Sequence, residues 1–291
     1  MFDFYTTFKN ELARILIVDV GAMALGAGTN VFEPLLKYDN CHVIGFEPVH
    51  SECEKLNNKS NKNRRYLPYF IGDGSDRTFH LCNNSMTSSL YQPNIELLNK
   101  FQNLAELCMV KENFPVSTKK LDDIEEVRDA DFIKIDVQGA ELDVFKGASN
   151  ILREVLVIHT EVEFLPLYID QPLFADIDQH LRSNGFQFHK FATVAGRTLK
   201  PLVANKNINR SMSQQLWADA VYIKDILSCE KLPLAKIVKL AFIMHEVYRA
   251  YDFSHYALQQ YDTLTGNCYA GHYREALIQE INAPYPKKQN Q

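Results

Sequence analysis

Five short apolar runs constrain this chain most: ILIVDV (15–20), HVIGFEP (42–48), YLPYFIGD (66–73), FIKIDV (132–137) and VLVIHTEVEF (155–164). They are β-branched, close to continuous in their apolar character, and each delivers an acidic residue near its end. Such runs suit strands buried on both faces. Helix-like stretches lie around 30–38, 50–60, 140–153 and 173–184, the last stopping at Asn184–Gly185. Alternation of this kind predicts an α/β fold with a doubly wound, mostly parallel sheet. RTFHL (77–81) reads as a hairpin arm. FQFHKFATV (186–194) and LWADAVYIKD (216–225) follow with no crossover helix, so they are expected to pair antiparallel.

Beyond residue 226 the strand pattern stops. Leu234, Ile237, Val238, Ala241, Met244, Tyr248 and Tyr251 recur at helical spacing, and further helices are expected at about 254–265 and 271–281. The tail PYPKKQNQ is expected to fray. The reading is therefore a domain over 1–225 and a C-terminal helical appendage over 226–291. Tyr248, Tyr251, Tyr256, Tyr261, Tyr269 and Tyr273 suit core packing better than sugar stacking. The same helices are the expected surface for any homo-oligomer.

Composition removes several classes. The net charge is −5 with no basic stripe, which argues against nucleic acid as the main partner. None of the six cysteines forms a C-x-x-C pair, so a zinc site is not expected. Scattered thiols and the lack of a charged-then-apolar leader point to the cytoplasm. The run LPLAKIVKLAFIMHEVY is broken by Lys236, Lys239, His245 and Glu246, so no membrane span is expected.

The strand ends carry the candidate chemistry. Asp19 ends the first strand, and Gly21, Gly26 and Gly28 follow in a turn through which backbone N–H groups can approach a ligand. Glu47, next to Pro48, ends the second strand, where an acid can accept from both hydroxyls of a ribose. This pair selects an adenosine cofactor and leaves NAD and S-adenosylmethionine (SAM) both open. Asp73 and Gly74 sit past the third strand, either as turn residues or with the carboxylate on an adenine amino group. Phe132, Lys134 and Asp136 share one strand face, so Asp136 emerges at the carboxyl edge beside the first strand. Lys134 on that face needs a nearby acid. His159, Glu161 and Glu163 also share a face, and such a set could deprotonate a hydroxyl or, with Asp136, ligate a divalent ion.

Together these stretches resemble the FkbM family of SAM-dependent methyltransferases. The resemblance runs through VDVGAMALG, VIGFEP, SMTSSL (85–90), KKLDDI (119–124), DFIKIDVQGAELDVFKGA, HTEVEFLPLYIDQPLF and LWADAVYIKD, over residues 15 to about 225. KIDVQGAE is its most specific part. It implies a seven-stranded Rossmann-like methyltransferase sheet with the last strand antiparallel. It further implies methyl transfer from SAM, typically to a hydroxyl of a glycan or secondary metabolite. The loop after Asp19 would hold the amino-acid end of SAM through Gly21 and Ala22. Glu47 would bind ribose, and the Asp73 loop would flank adenine. Asp136 with the turn Gln138–Gly139 would face the methionine moiety and the acceptor. Asp136 is the first choice for orientation and Glu161 for base or metal ligand, with Glu163 and His159 behind. The loop departs from the usual closely spaced glycines, because Met23-Ala24-Leu25 intervene before Gly26.

Two rivals differ in class. A nicotinamide-dependent oxidoreductase of the short-chain type needs Y-x-x-x-K on a mid-chain helix, and the string occurs here only at Tyr5–Lys9, ahead of the first strand. A non-catalytic nucleotide-binding module would keep the fold without turnover. Acids at three strand ends argue against it.

Overall fold

The computed structural model describes residues 2–22, 30–60 and 62–281. Gly26, Gly28 and the tail PYPKKQNQ lie outside the described residues. The apolar runs form strands β1 (Ile15–Val20), β2 (Cys41–Phe46), β3 (Arg64–Leu67), β6 (Phe132–Ile135) and β7 (Val157–Glu163). β3 is shorter than the expected 66–73. Pro68 has no N–H to give to a ladder, and the chain leaves the sheet there. β8 (Phe186–Ala195) and β9 (Trp217–Lys224) complete a seven-stranded sheet in the order β3-β2-β1-β6-β7-β9-β8. β1 pairs parallel with β6, β2 with β3 and β6 with β7, whereas β9 runs antiparallel to both β7 and β8.

The expected arm at 77–81 is strand β4 (Asp76–Cys82), and its partner is the distant β5 (Val110–Ser117) in a separate two-stranded sheet. β5 was not anticipated, because KENFP within it lacks apolar alternation and is exposed.

Helices Glu141–Lys146, Ile151–Glu154 and Phe174–Ser183 contribute to one core. There Val144, Phe145, Leu152, Ile177 and Leu181 join Val18, Val20, Ile133, Ile135 and Ile158 of the sheet. Expected as one helix over 140–153, the first two are split at Gly147. The second starts where the Asn150 and Ile151 N–H groups donate to the Asp122 carboxylate.

The strand order reverses between β1 and β6, since β2 and β3 lie on one side and β7 on the other. That switch point opens a crevice outside the carboxyl ends of the strands. All of this belongs to a unit made of residues 16–22 and 41–226.

A second compact unit comprises residues 2–15, 30–40 and 227–281. The sequence reading placed the first two segments with the sheet. Their rings explain the difference. Phe4 is buried with its centroid 6.0 Å from Phe242 and 5.5 Å from Tyr273, and Phe8 lies 5.4 Å from Tyr261. Lys37 Nζ and Tyr38 OH both reach the Glu246 carboxylate at 2.8 Å. The helical pattern from Leu234 to Tyr251 forms one helix only from Leu234 to Tyr248. It ends at Arg249, which has left-handed backbone, and a new helix spans Tyr251–Thr265 before the last at Tyr269–Ile281. Tyr248, Tyr261 and Tyr273 are buried, as core packing requires, and Tyr273 OH lies 2.8 Å from His245 Nδ1. Among the described residues no helix is long and apolar enough to cross a membrane.

Candidate active site

Register brings the strand-end residues together. Asp19 is opposite Lys134, and Lys134 is opposite His159, so the three form a row across β1, β6 and β7. One step toward the carboxyl edge, Glu161 is opposite Asp219 of β9. Alternation puts Asp136 and Glu163 on this same face.

Lys134 supplies positive charge to the row. Its Nζ lies 3.5 Å from Asp19 Oδ1 and 3.8 Å from Asp136 Oδ2, and it donates to Gly21 O at 3.4 Å. Burial disfavours the ammonium, but Asp19 and Asp136 more than offset this and hold its pKa above the ordinary value. Asp19 is buried, and among the described residues its Oδ1 has no donor beyond the Lys134 ion pair.

The loops after β1 and β6 approach very closely. Gly21 has φ +81°, and a Cβ there would stand 1.9 Å from Asp136 O. Ala22 N donates to Phe46 O at 3.0 Å, which ties this loop to the end of β2.

After Ile135 the chain turns through Gln138 (φ +58°) and Gly139 (φ +96°). Glu141 braces the turn, because its carboxylate accepts from Val137 N and from Gly139 N, both at 2.9 Å. Gln138 is the hub of the site. Its Nε2 donates to Asp136 Oδ1 at 2.8 Å and to Glu161 Oε2 at 2.6 Å. Its Oε1 accepts from Tyr168 OH at 3.3 Å, and its backbone carbonyl accepts from Ser89 Oγ at 2.6 Å. Both amide hydrogens and both carbonyls of Gln138 are thus engaged by protein. The residue between the two carboxylates fixes their spacing.

Asp136 keeps its side chain 37% exposed, against 1% for Glu163, and so faces whatever enters the crevice. Carboxylate oxygens of Glu141, Glu161 and Glu163 lie within 4.8 Å of one another. Burial, followed by the neighbouring acids, pushes Glu161 and Glu163 well above the carboxylate range and Glu141 up to about 7. His159 is driven down to about 4, chiefly by burial, and remains a neutral imidazole 3.8 Å from Asp219.

These shifts set the pH dependence of stability. A carboxyl raised on folding binds its proton more tightly in the native state, so stability falls as pH rises from the ordinary value toward the folded one. For Glu141 that window is 4.5 to about 7. His159 acts in the opposite sense, but only between about 4 and 6.5. From pH 6.5 to about 7 the melting temperature is therefore expected to fall. Glu163→Gln should flatten that slope, and a melting temperature that rises over this interval would contradict the assignment.

Glu47 directly follows β2 and is buried. Its Oε1 accepts from Val49 N at 2.8 Å, and burial raises its pKa. Pro48 beside it is half-buried. Asp73 is committed elsewhere. It accepts from Ser75 N at 3.1 Å, from Ser75 Oγ and from Arg77 at 3.2 Å. Burial would raise its pKa, but these partners hold it below the ordinary value. Gly74 N donates to Thr118 Oγ1 at 3.0 Å.

Ser89, Tyr168 and Asp219 have no role assigned from sequence, and Glu141 only that of a carboxylate at the start of a helix. Ser89 sits in SMTSSL, Tyr168 in HTEVEFLPLYIDQPLF and Asp219 in LWADAVYIKD, so the resemblance marked their stretches. The signal for Glu141 is its place two residues past a Gly that follows a strand-end acid. The position of Asp219 depends on the β7–β9 register, which only strand pairing reveals.

The sequence pattern of the methyltransferase FkbM domain matches residues 19–188, more than half of the chain. No curated protein matches the sequence. Among solved structures the chain is similar to a precorrin-6y C5,15-methyltransferase from Geobacter metallireducens GS-15. The identity is 13%, the coverage 75% of this chain and 86% of that one, and the TM-score 0.38. It is also similar to a SAM dependent methyltransferase from Aquifex aeolicus. That identity is 12%, with coverage of 76% and 90% and a TM-score of 0.33.

Proposed function

The chain belongs to the FkbM methyltransferase domain family, and we propose that it methylates a hydroxyl oxygen of a glycan or secondary metabolite. Its methyl donor, as a member of that family, is SAM. Bound SAM supplies a methyl carbon activated by a positively charged sulfur. The residues of the crevice fit such a molecule. Among the described residues Asp19 Oδ1 is buried with no donor beyond its ion pair to Lys134, and Gly21 leaves no room for a side chain. Asp19, Asp136 and Glu161 act on a single lysine, so the face favours a cation.

In this reading the Gly21–Ala22 loop and Asp19 hold the amino-acid end, and Glu47 takes the ribose hydroxyls. Asp73 and Gly74 shape the adenine side through their loop, since the Asp73 carboxylate is occupied by Ser75 and Arg77. Asp136 orients the acceptor, and Glu161 takes the hydroxyl proton as the oxygen–methyl bond forms and the methyl–sulfur bond breaks. A carboxylate with a raised pKa is the better base toward a hydroxyl. The neutral His159 adds no further positive charge beside Glu161. The observation that carries the reading is the Gln138 amide bridging Asp136 and Glu161. Alignment of oxygen, methyl and sulfur depends on such fixed groups.

The test is transfer of labelled methyl from SAM to fractionated extracts and glycans. Label is expected on an oxygen. Glu161→Gln should lower the rate by about 100-fold while SAM binding persists. Label on nitrogen or carbon, or full activity in that variant, would contradict the reading. A second reading rests on the Glu141, Glu161 and Glu163 oxygens, a donor set suited to a hard divalent cation. Stabilisation by added Mg²⁺ or Mn²⁺ that Glu163→Gln abolishes would support it.

A further inference from the structure

The connection between β8 and β9 differs in character from the rest of the chain. Residues 196–216 contain Arg197, Lys200, Lys206 and Arg210 and no Asp or Glu, in a protein of net charge −5. The same stretch exposes Leu199, Leu202, Val203, Ile208 and Met212, with Leu202 62% and Met212 64% exposed. Five large aliphatic side chains open to water in one connection form an unusual surface.

The segment is held in place. Gln102 N donates to Thr198 O at 2.9 Å, Lys200 N to Lys100 O at 2.8 Å, and Gln102 Nε2 to Leu202 O at 2.9 Å. Leu202, Val203, Arg210 and Met212 line one cavity of about 470 Å³. Lys200 is paired with Glu106 at 3.2 Å, and Arg197 lies over the Trp217 ring. Among the described residues Lys206 and Arg210 have no acidic partner within ion-pair distance.

Aliphatic side chains beside unpaired cations match the two layers of an anionic membrane surface, which has acyl chains beneath phosphate headgroups. Single-stranded nucleic acid fits less well, because its bases need aromatic platforms and these side chains are aliphatic. We propose that residues 197–215 dock this protein peripherally on an anionic lipid bilayer. Leu202, Val203 and Met212 enter the acyl boundary, and Lys206 and Arg210 meet the headgroups.

The placement bears on the acceptor. Trp217 opens β9 opposite Glu163, so this connection leaves the sheet at the edge where Asp136 and Glu161 emerge. The acceptor hydroxyl would then be presented at a lipid surface. That consequence rests on the methyl-transfer reading, whereas docking itself does not.

The test is co-sedimentation of the full chain with vesicles of phosphatidylcholine alone and of an equal mixture with phosphatidylglycerol. Binding is expected only to the mixed vesicles and should weaken with salt. Lys206→Glu with Arg210→Glu, and separately Leu202→Asp with Met212→Asp, should each reduce partitioning at least about tenfold. These side chains are exposed, so the SAM-induced thermal shift should persist in both. Equal binding to the two vesicle types, no binding, or unchanged partitioning of both variants would overturn the proposal. So would a concentration-dependent dimer that Leu202→Asp with Met212→Asp dissociates, because the surface would then cover a second copy. A thermal shift with SAM but no vesicle binding would overturn docking alone.

Discussion

Gly21→Ala is expected to destabilise the sheet unit by about 3 kcal/mol or more, from left-handed strain together with a steric clash. The backbone there has φ +81°, and the added carbon would sit 1.9 Å from Asp136 O. That carbonyl is not free to yield. Asp136 N donates to Val20 O at 3.1 Å, and the next turn is pinned by Glu141. Gly185→Ala is the control. Gly185 also has positive φ, +79°, but nothing lies within 4 Å of its added carbon. It should cost only the conformational part, about 1 kcal/mol. Urea unfolding followed by circular dichroism measures both. Equal losses would mean that the close approach of the two loops carries no energetic weight.

Gln138→Leu is expected to reduce the methyl-transfer rate by about 100-fold, the order produced by displacing reacting groups by about 1 Å. The substitution keeps the size of the side chain and removes the amide that joins Asp136 Oδ1 to Glu161 Oε2. Asp136 Oδ1 and Glu161 Oε2 would both lose the donor they share. Tyr168 OH keeps Thr87 O at 3.0 Å, so the surrounding wall should stand. The loss should fall on kcat, with the KM for SAM changed much less, because the substitution leaves Gly21, Ala22 and Glu47, the residues proposed to hold SAM, in place. A change confined to KM would instead make Gln138 a cofactor ligand.

This last contrast also shows how far sequence reasoning reaches. Apolar runs ending in acids were enough to place Asp19, Glu47 and Asp136 at one sheet edge, because strand period and a parallel topology dictate it. The need of Lys134 for an acid was legible for the same reason, since an ammonium on a buried face must be paired. What sequence could not supply was the pairing of distant groups. Gln138 is expected in a turn that faces the methionine moiety and the acceptor, and the fold adds that its amide links Asp136 to Glu161 of β7. Asp73 looked free to meet an adenine, yet Ser75 and Arg77, two and four residues on, occupy it. β5 escaped because its residues are mostly exposed and its partner β4 lies some thirty residues earlier. The N-terminal Phe4 and Phe8 joined the C-terminal helices for a reason no local pattern carries: their rings complete an aromatic core built from Phe242, Tyr261 and Tyr273.

We propose that SAM occupies the crevice at the β1–β6 switch point, with Glu47 on its ribose. Thermal unfolding of the full chain with saturating SAM, with NAD and without ligand tests this most directly. Ligand at about 100 times its Kd should add close to 2.7 kcal/mol and raise the melting temperature. SAM is expected to do so and NAD is not. Glu47→Gln keeps an acceptor for Val49 N but offers the ribose one acceptor fewer, and it should weaken SAM binding at least about tenfold. No shift with SAM, or the same shift with NAD, would contradict the assignment.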